Sequence, residues 1–132
     1  MLVSTDGFVS EDGHAGWAFI ATRGDEHVEQ AGALSEATSH LAEWTAAARA
    51  LAWAEETLID GDALELRTDS ALVEKGLASR RPEMSGEAAT LRAACRQALA
   101  RLVAAGITAR VVRVRREENV EADAAARRAA QM

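Results

Sequence analysis

Near residue 36 the hydrophobic period switches from that of a strand to that of a helix, and this switch constrains the fold more than any other feature. Ahead of it, LVSTDGFV, AGWAFIAT and EHVEQAGAL read as strands, separated by the turn signals Glu11-Asp12-Gly13 and Arg23-Gly24-Asp25. Runs of this kind joined by short Gly/Asp turns predict an antiparallel meander of two hairpins. Beyond it, Leu41, Trp44, Ala48, Leu51, Ala52 and Leu58 recur at helical spacing in an alanine-rich background. That pattern predicts a long helix from Glu36 to Leu58, stopped at Ile59-Asp60-Gly61-Asp62 with Gly61 as its C-terminal cap.

Downstream, Leu64 to Thr68 reads as a strand and Ser70 to Leu77 as a helix, followed by a loop at Arg80-Arg81-Pro82-Glu83 around the only proline. Leu91, Cys95, Ala98 and Leu102 make the stripe of a second long helix running from about Ser85 to Gly106. A strand from Ile107 to Val114, a loop from Arg115 to Glu118 and a last helix with Asn119 as N-cap complete the chain. The element order is βββαβααβα. Strands joined through helices lie parallel with right-handed crossovers, so the expected fold is α/β, a five-stranded mixed sheet flanked by helices. At 132 residues, the chain (1–132) is expected to be one domain with a core that needs no staples.

Fifteen basic and 21 acidic residues give a formal charge of −6. Polynucleotide binders usually carry a basic footprint, so the balance alone argues against that class. The distribution softens the argument, because Arg110, Arg113, Arg115, Arg116, Arg127 and Arg128 crowd the last quarter; a solvated arginine face fits the same pattern. Cys95 is the only cysteine, which rules out an internal disulfide and a zinc site built on cysteines; it reads as an apolar filler. No run approaches a membrane span and MLVSTDGF lacks a secretory pattern, so a soluble, cytoplasmic protein is expected. Trp17, Trp44 and Trp53 sit at core spacing, whereas His40 and Lys75 read as surface residues.

The acidic residues carry the chemistry. Asp69 follows the strand LELRT, and open α/β sheets bind ligands at the carboxyl ends of their strands. A buried carboxylate there needs a cation partner, either an arginine or a metal. Parallel pairing of the first and fourth strands would put Asp6 beside it. Glu43 lies in line with Ala47, Ala50 and Ala54, small residues that let the long helix approach the sheet, and Asp123 sits one turn into the last helix. Four carboxylates converging on one crevice repel one another, and hard divalent cations bound through oxygen resolve the repulsion.

TDG around Asp6, AEWTAAARAL around Glu43, TDS at Asp69 and ENVEADAAARRAA around Asp123 resemble, in order and spacing, the four signature segments of type 1 ribonuclease H. The resemblance spans nearly the whole chain and implies a ribonuclease H-like fold. It further implies two Mg²⁺ ions, with Mn²⁺ as a substitute, and hydrolysis of the RNA strand of an RNA/DNA hybrid to leave a 5′-phosphate and a 3′-hydroxyl. On this resemblance Asp6 bridges both metals, Asp123 completes the site that activates water, and Glu43 with Asp69 holds the metal on the leaving side. Glu43 is also suited to contact a ribose 2′-hydroxyl. Thr38, Ser39, Asn119, Arg115 and Arg116 match substrate-side positions. The implied partner is the hybrid; no obligatory protein partner and no membrane are inferred.

The chain departs from that pattern in three places. The loop VRVRREEN holds no histidine, where many members use one to release product; Arg115, Arg116 or Glu117 takes that role, or these are surface charges flanking a cap. Only SRRPEMSG lies where some members carry a basic, tryptophan-bearing protrusion, and Ala71 stands where some use a polar side chain in the minor groove. Proofreading-type exonucleases place two acids one residue apart in the first strand, but Ser4 and Phe8 flank Asp6 at those spacings. Integrase-like enzymes end their set with a glutamate, here Asp123. A noncatalytic interaction module that kept the fold is the alternative from another class.

Overall fold

The computed structural model describes residues 1–35, 37–78 and 86–132. The meander is β1 (Leu2–Val9), β2 (Ala15–Arg23) and β3 (Glu26–Leu34), antiparallel throughout. Gly13 and Gly24 supply the positive φ its two turns require, at 86° and 57°. Then come α1 (Ser39–Thr57), β4 (Ala63–Thr68), α2 (Ala71–Ala78), α3 (Glu87–Ala104), β5 (Thr108–Arg113), a single 3₁₀ turn (Arg116–Glu118) and α4 (Val120–Ala130). The sheet order is β3-β2-β1-β4-β5, with β4 parallel to both β1 and β5. No described helix is long and apolar enough to cross a membrane.

β2 is buried from Ala15 to Ala21 because helices cover both of its faces. On one side Trp17 and Phe19 stack in the main core with Trp44, Leu51, Leu66, Cys95 and Leu102, beneath α1 and α3. On the other, Ala18 and Ile20 pack against Ala122, Ala125 and Ala126 of α4. That second interface is built from small groups: a Cβ on Gly16 would sit 2.6 Å from the Ala130 nitrogen, so α4 lies nearly on the strand. Truncating a fully buried side chain such as Phe19 to alanine would cost ~3–5 kcal/mol. Trp17 and Trp44 are core residues, Trp53 packs against the same core beside Phe19, and His40 and Lys75 are exposed.

Several boundaries differ from the sequence expectation. α1 begins at Ser39, because the Thr38 hydroxyl accepts the Leu41 N–H at 3.2 Å and caps the helix there; Glu36 lies outside the described residues. It ends at Thr57 with Leu58 in an extended conformation, so Gly61 is not its cap. Gly61 instead takes φ +92° in the turn leading into β4. α3 is described from Glu87, and Ser85 lies outside the described residues; β5 is one residue shorter at each end than Ile107–Val114. The loop at Arg80-Arg81-Pro82-Glu83 lies outside the described residues.

Candidate metal centre

The parallel ladder between β1 and β4 ends at Thr5 opposite Thr68, which brings the next residues, Asp6 and Asp69, side by side. The turn after Thr68 is held by its own polar groups. Thr68 Oγ1 accepts from the Ser70 N–H at 3.0 Å, and Ser70 Oγ accepts from Val73 at 3.2 Å, starting α2. A strand that stops at a carboxylate is thus fixed by hydroxyls on either side of it.

α1 delivers Glu43 from above. A Cβ on Gly7 would meet the Ala42 carbonyl carbon and the Glu43 nitrogen, and would lie 2.7 Å from the Ala42 Cβ. The glycine after Asp6 is therefore the point where helix and strand touch, while Ala42, Ala46, Ala47, Ala50 and Ala54 keep the rest of the helix close. Oxygen atoms of Asp6, Glu43 and Asp69 all lie within 4.8 Å of one another. They open into a crevice of about 260 Å³, whose other walls include Phe8, Ser39, Arg116, Asp123 and Arg127.

Burial dominates the electrostatics. Asp6, 3% exposed, has its carboxyl pushed up to about 10, first by burial and then by Glu43, Asp69 and Asp123. Glu43 is raised to about 7, again by burial first, with Asp6, the Gly7 N–H and the Arg116 charge pulling the other way. Gly7 donates its N–H to Asp6 Oδ1 at 3.0 Å. Among the described residues no ion pair joins Asp6, Glu43 or Asp69 to an arginine, and Glu43 Oε2 is buried without a hydrogen-bond partner. A buried, unpartnered carboxylate oxygen facing two further carboxylates is the donor set of a hard divalent cation, so the residues fit such an ion.

The fourth carboxylate stands slightly apart. Asp123 lines the same crevice but lies outside the close triad, with both oxygens accepting from Arg127 Nε at 3.0 and 3.2 Å. The Arg127 guanidinium in turn lies 4.4 Å above the Phe8 ring. Neither Arg127 nor Phe8 is a candidate from the sequence motifs; the four-residue spacing from Asp123 was the available signal for the arginine. Ser39 and Arg116 line the crevice, whereas Thr38 spends its hydroxyl on the cap and Arg115 is exposed outside the crevice. Asn119 is a correction. It precedes α4, but its side chain makes no cap hydrogen bond; it is 2% exposed and donates from Nδ2 to the Thr5 carbonyl at 2.9 Å.

A sequence profile of a family described as reverse transcriptase-like matches residues 4–129. The chain belongs to this family, of type 1 ribonuclease H fold. A ribonuclease H1 from the halophilic archaeon Halobacterium salinarum is 28% identical, with a TM-score of 0.81 over 98% of this chain and 96% of that one. Two further structures share the fold. The N-terminal ribonuclease H domain of a Mycobacterium tuberculosis protein, 19% identical, gives a TM-score of 0.85 over 98% of this chain and 92% of that one. LC11-RNase H1, isolated from compost and solved in complex with RNA/DNA hybrid, is 23% identical, with a TM-score of 0.78 over 98% and 96%. A comparison with curated proteins found no match. Within this ribonuclease H family member, Arg116 reaches the crevice from the loop that lacks a histidine. The segment in place of the basic protrusion, SRRPEMSG, lies outside the described residues except for Gly86.

Proposed function

We propose that this chain is a divalent-metal-dependent endoribonuclease that hydrolyses the RNA strand of RNA/DNA hybrids, leaving a 5′-phosphate and a 3′-hydroxyl. The observation that carries the reading is the triad of Asp6, Glu43 and Asp69 within 4.8 Å, with Glu43 Oε2 buried and unpartnered. A site of this kind is costly to keep unless a cation fills it. Two divalent ions, Mg²⁺ with Mn²⁺ as substitute, would supply an activated water and charge neutralisation at the scissile phosphate. In this reading Asp6 serves both ions, Glu43 and Asp69 the leaving side, and Asp123 the water side. Ser39 and Glu43 sit at the helix start, where a ribose 2′-hydroxyl can be read. Arg113, Arg115 and Arg116, which make no ion pair among the described residues, are free to meet phosphates.

The test is a cleavage panel: labelled RNA/DNA hybrid, single-stranded RNA and both homoduplexes, each with Mg²⁺, Mn²⁺ or EDTA, and with the product ends identified. Metal-dependent cuts confined to the RNA of the hybrid support the proposal. Hybrid left intact in both metals contradicts it and favours a noncatalytic module on the same fold.

A further inference from the structure

Asn119 is an awkward residue to bury. It is 2% exposed; its Nδ2 donates to the Thr5 carbonyl at 2.9 Å across 114 residues of sequence, and its Oδ1 has no partner. An unpartnered buried acceptor costs ~1–3 kcal/mol, which an apolar side chain filling the same space would avoid. Packing alone therefore does not account for an amide here. The donated hydrogen bond does: it ties the residue that opens α4 to the backbone of β1.

The placement of that bond matters. Thr5 immediately precedes Asp6, and Asp123 donates its backbone N–H to the Asn119 carbonyl one turn later, at 3.0 Å. The rest of the buried α4 interface is mainly alanine methyl groups on Gly16, Ala18 and Ile20 with Phe8 beside them, a smooth surface that resists separation better than sliding, and at its rim Arg127 lies over the Phe8 ring and Arg128 pairs with Glu29 of β3. The rim contacts lie near the far end of α4, so the buried, directional Asn119 bond is the one placed to fix its first turn along the sheet. We propose that Asn119 is a positioning residue: a buried latch that holds the first turn of α4, and with it Asp123, in register with Asp6. At 2% exposure it does not reach a substrate, so this replaces the substrate-side role implied by the resemblance. The proposal rests on the reading of Asp123 as a metal-side carboxylate.

Manganese titrated calorimetrically into the unmodified protein, with no nucleic acid present, should give two binding events. Asn119→Ala should weaken by roughly tenfold or more the event that Asp123→Ala removes, and leave the other within about twofold. With hybrid as substrate, the same variant should lower kcat by roughly tenfold with KM within about threefold. In an Asp123→Ala background, Asn119→Ala should change metal binding by less than about twofold, because the latch acts through Asp123. Thermal denaturation checks the fold of each variant. Asn119→Ser keeps a shorter donor, and carries the same comparison if the alanine variant is unfolded. A raised KM with unchanged metal binding, equal weakening of both events, additive effects in the double variant, or a single event in the unmodified protein would each overturn the latch. Two events with the expected latch effects, in a protein that leaves hybrid uncut, would contradict the hydrolase reading and leave the latch standing.

Discussion

Replacing the Asp6 carboxylate by an amide should make the metal-free protein more stable, not less. The carboxyl has an ordinary pKa of 3.8 and is raised to about 10 in the fold. Below pH 4 both states hold the proton and the effect vanishes. As pH rises, the unfolded chain releases the proton while the folded one keeps it, so the fold loses ~1.4 kcal/mol per pH unit until the folded group also ionises. By pH 7 the loss has a ceiling of ~4 kcal/mol; because Asp6 and Glu43 titrate as a pair, we take ~2–4 kcal/mol. Asp6→Asn removes this penalty and keeps an N–H donor facing Glu43. At roughly 4 °C per kcal/mol for a chain of this size, its Tm in EDTA should exceed that of the unmodified protein by roughly 8–16 °C at pH 7. The gap should shrink towards zero near pH 4. Thermal denaturation followed by circular dichroism between pH 4 and 8 reads this directly. Millimolar Mg²⁺ should then stabilise the unmodified protein more than the variant, through linkage. A variant less stable than the parent in EDTA, or a gap independent of pH, would refute the reasoning and show that a cation such as Arg116 already neutralises Asp6.

Two further outcomes follow from the geometry. Gly7→Ala should push α1 off β1, costing ~1–3 kcal/mol in urea denaturation and weakening metal binding through Glu43; a silent substitution would show that the helix has room to move. Hybrid affinity at constant metal should fall with salt at a log–log slope of only about −2 to −4, because few arginines remain unpaired near the crevice. A steeper slope would reveal a basic surface outside the described residues.

The sheet was legible because its signals are local. Turn glycines mark the hairpins, and the change of period marks α1. The convergence of Asp6 and Asp69 was legible too, since parallel pairing of β1 and β4 dictates it. What escaped the sequence depends on distant neighbours. Gly7 and Gly16 look like turn or strand glycines until α1 and α4 are laid across them. Asn119 carries the composition of an N-cap, yet its Nδ2 donates to a carbonyl 114 residues away and its Oδ1 caps nothing. Thr38 moved the start of α1 because a side-chain cap outweighs the helix propensity of the residues before it.

The central claim is that Asp6 and Asp69 do chemistry together at the end of two parallel strands. Its most direct test is the rate of RNA cleavage in labelled RNA/DNA hybrid with Mg²⁺ for the unmodified protein, Asp6→Asn and Asp69→Asn, each first shown to be folded. The account predicts cleavage by the unmodified protein and a loss of at least roughly a hundredfold in each variant, because each removes charge that holds a metal. Near-normal cleavage by either variant would contradict it.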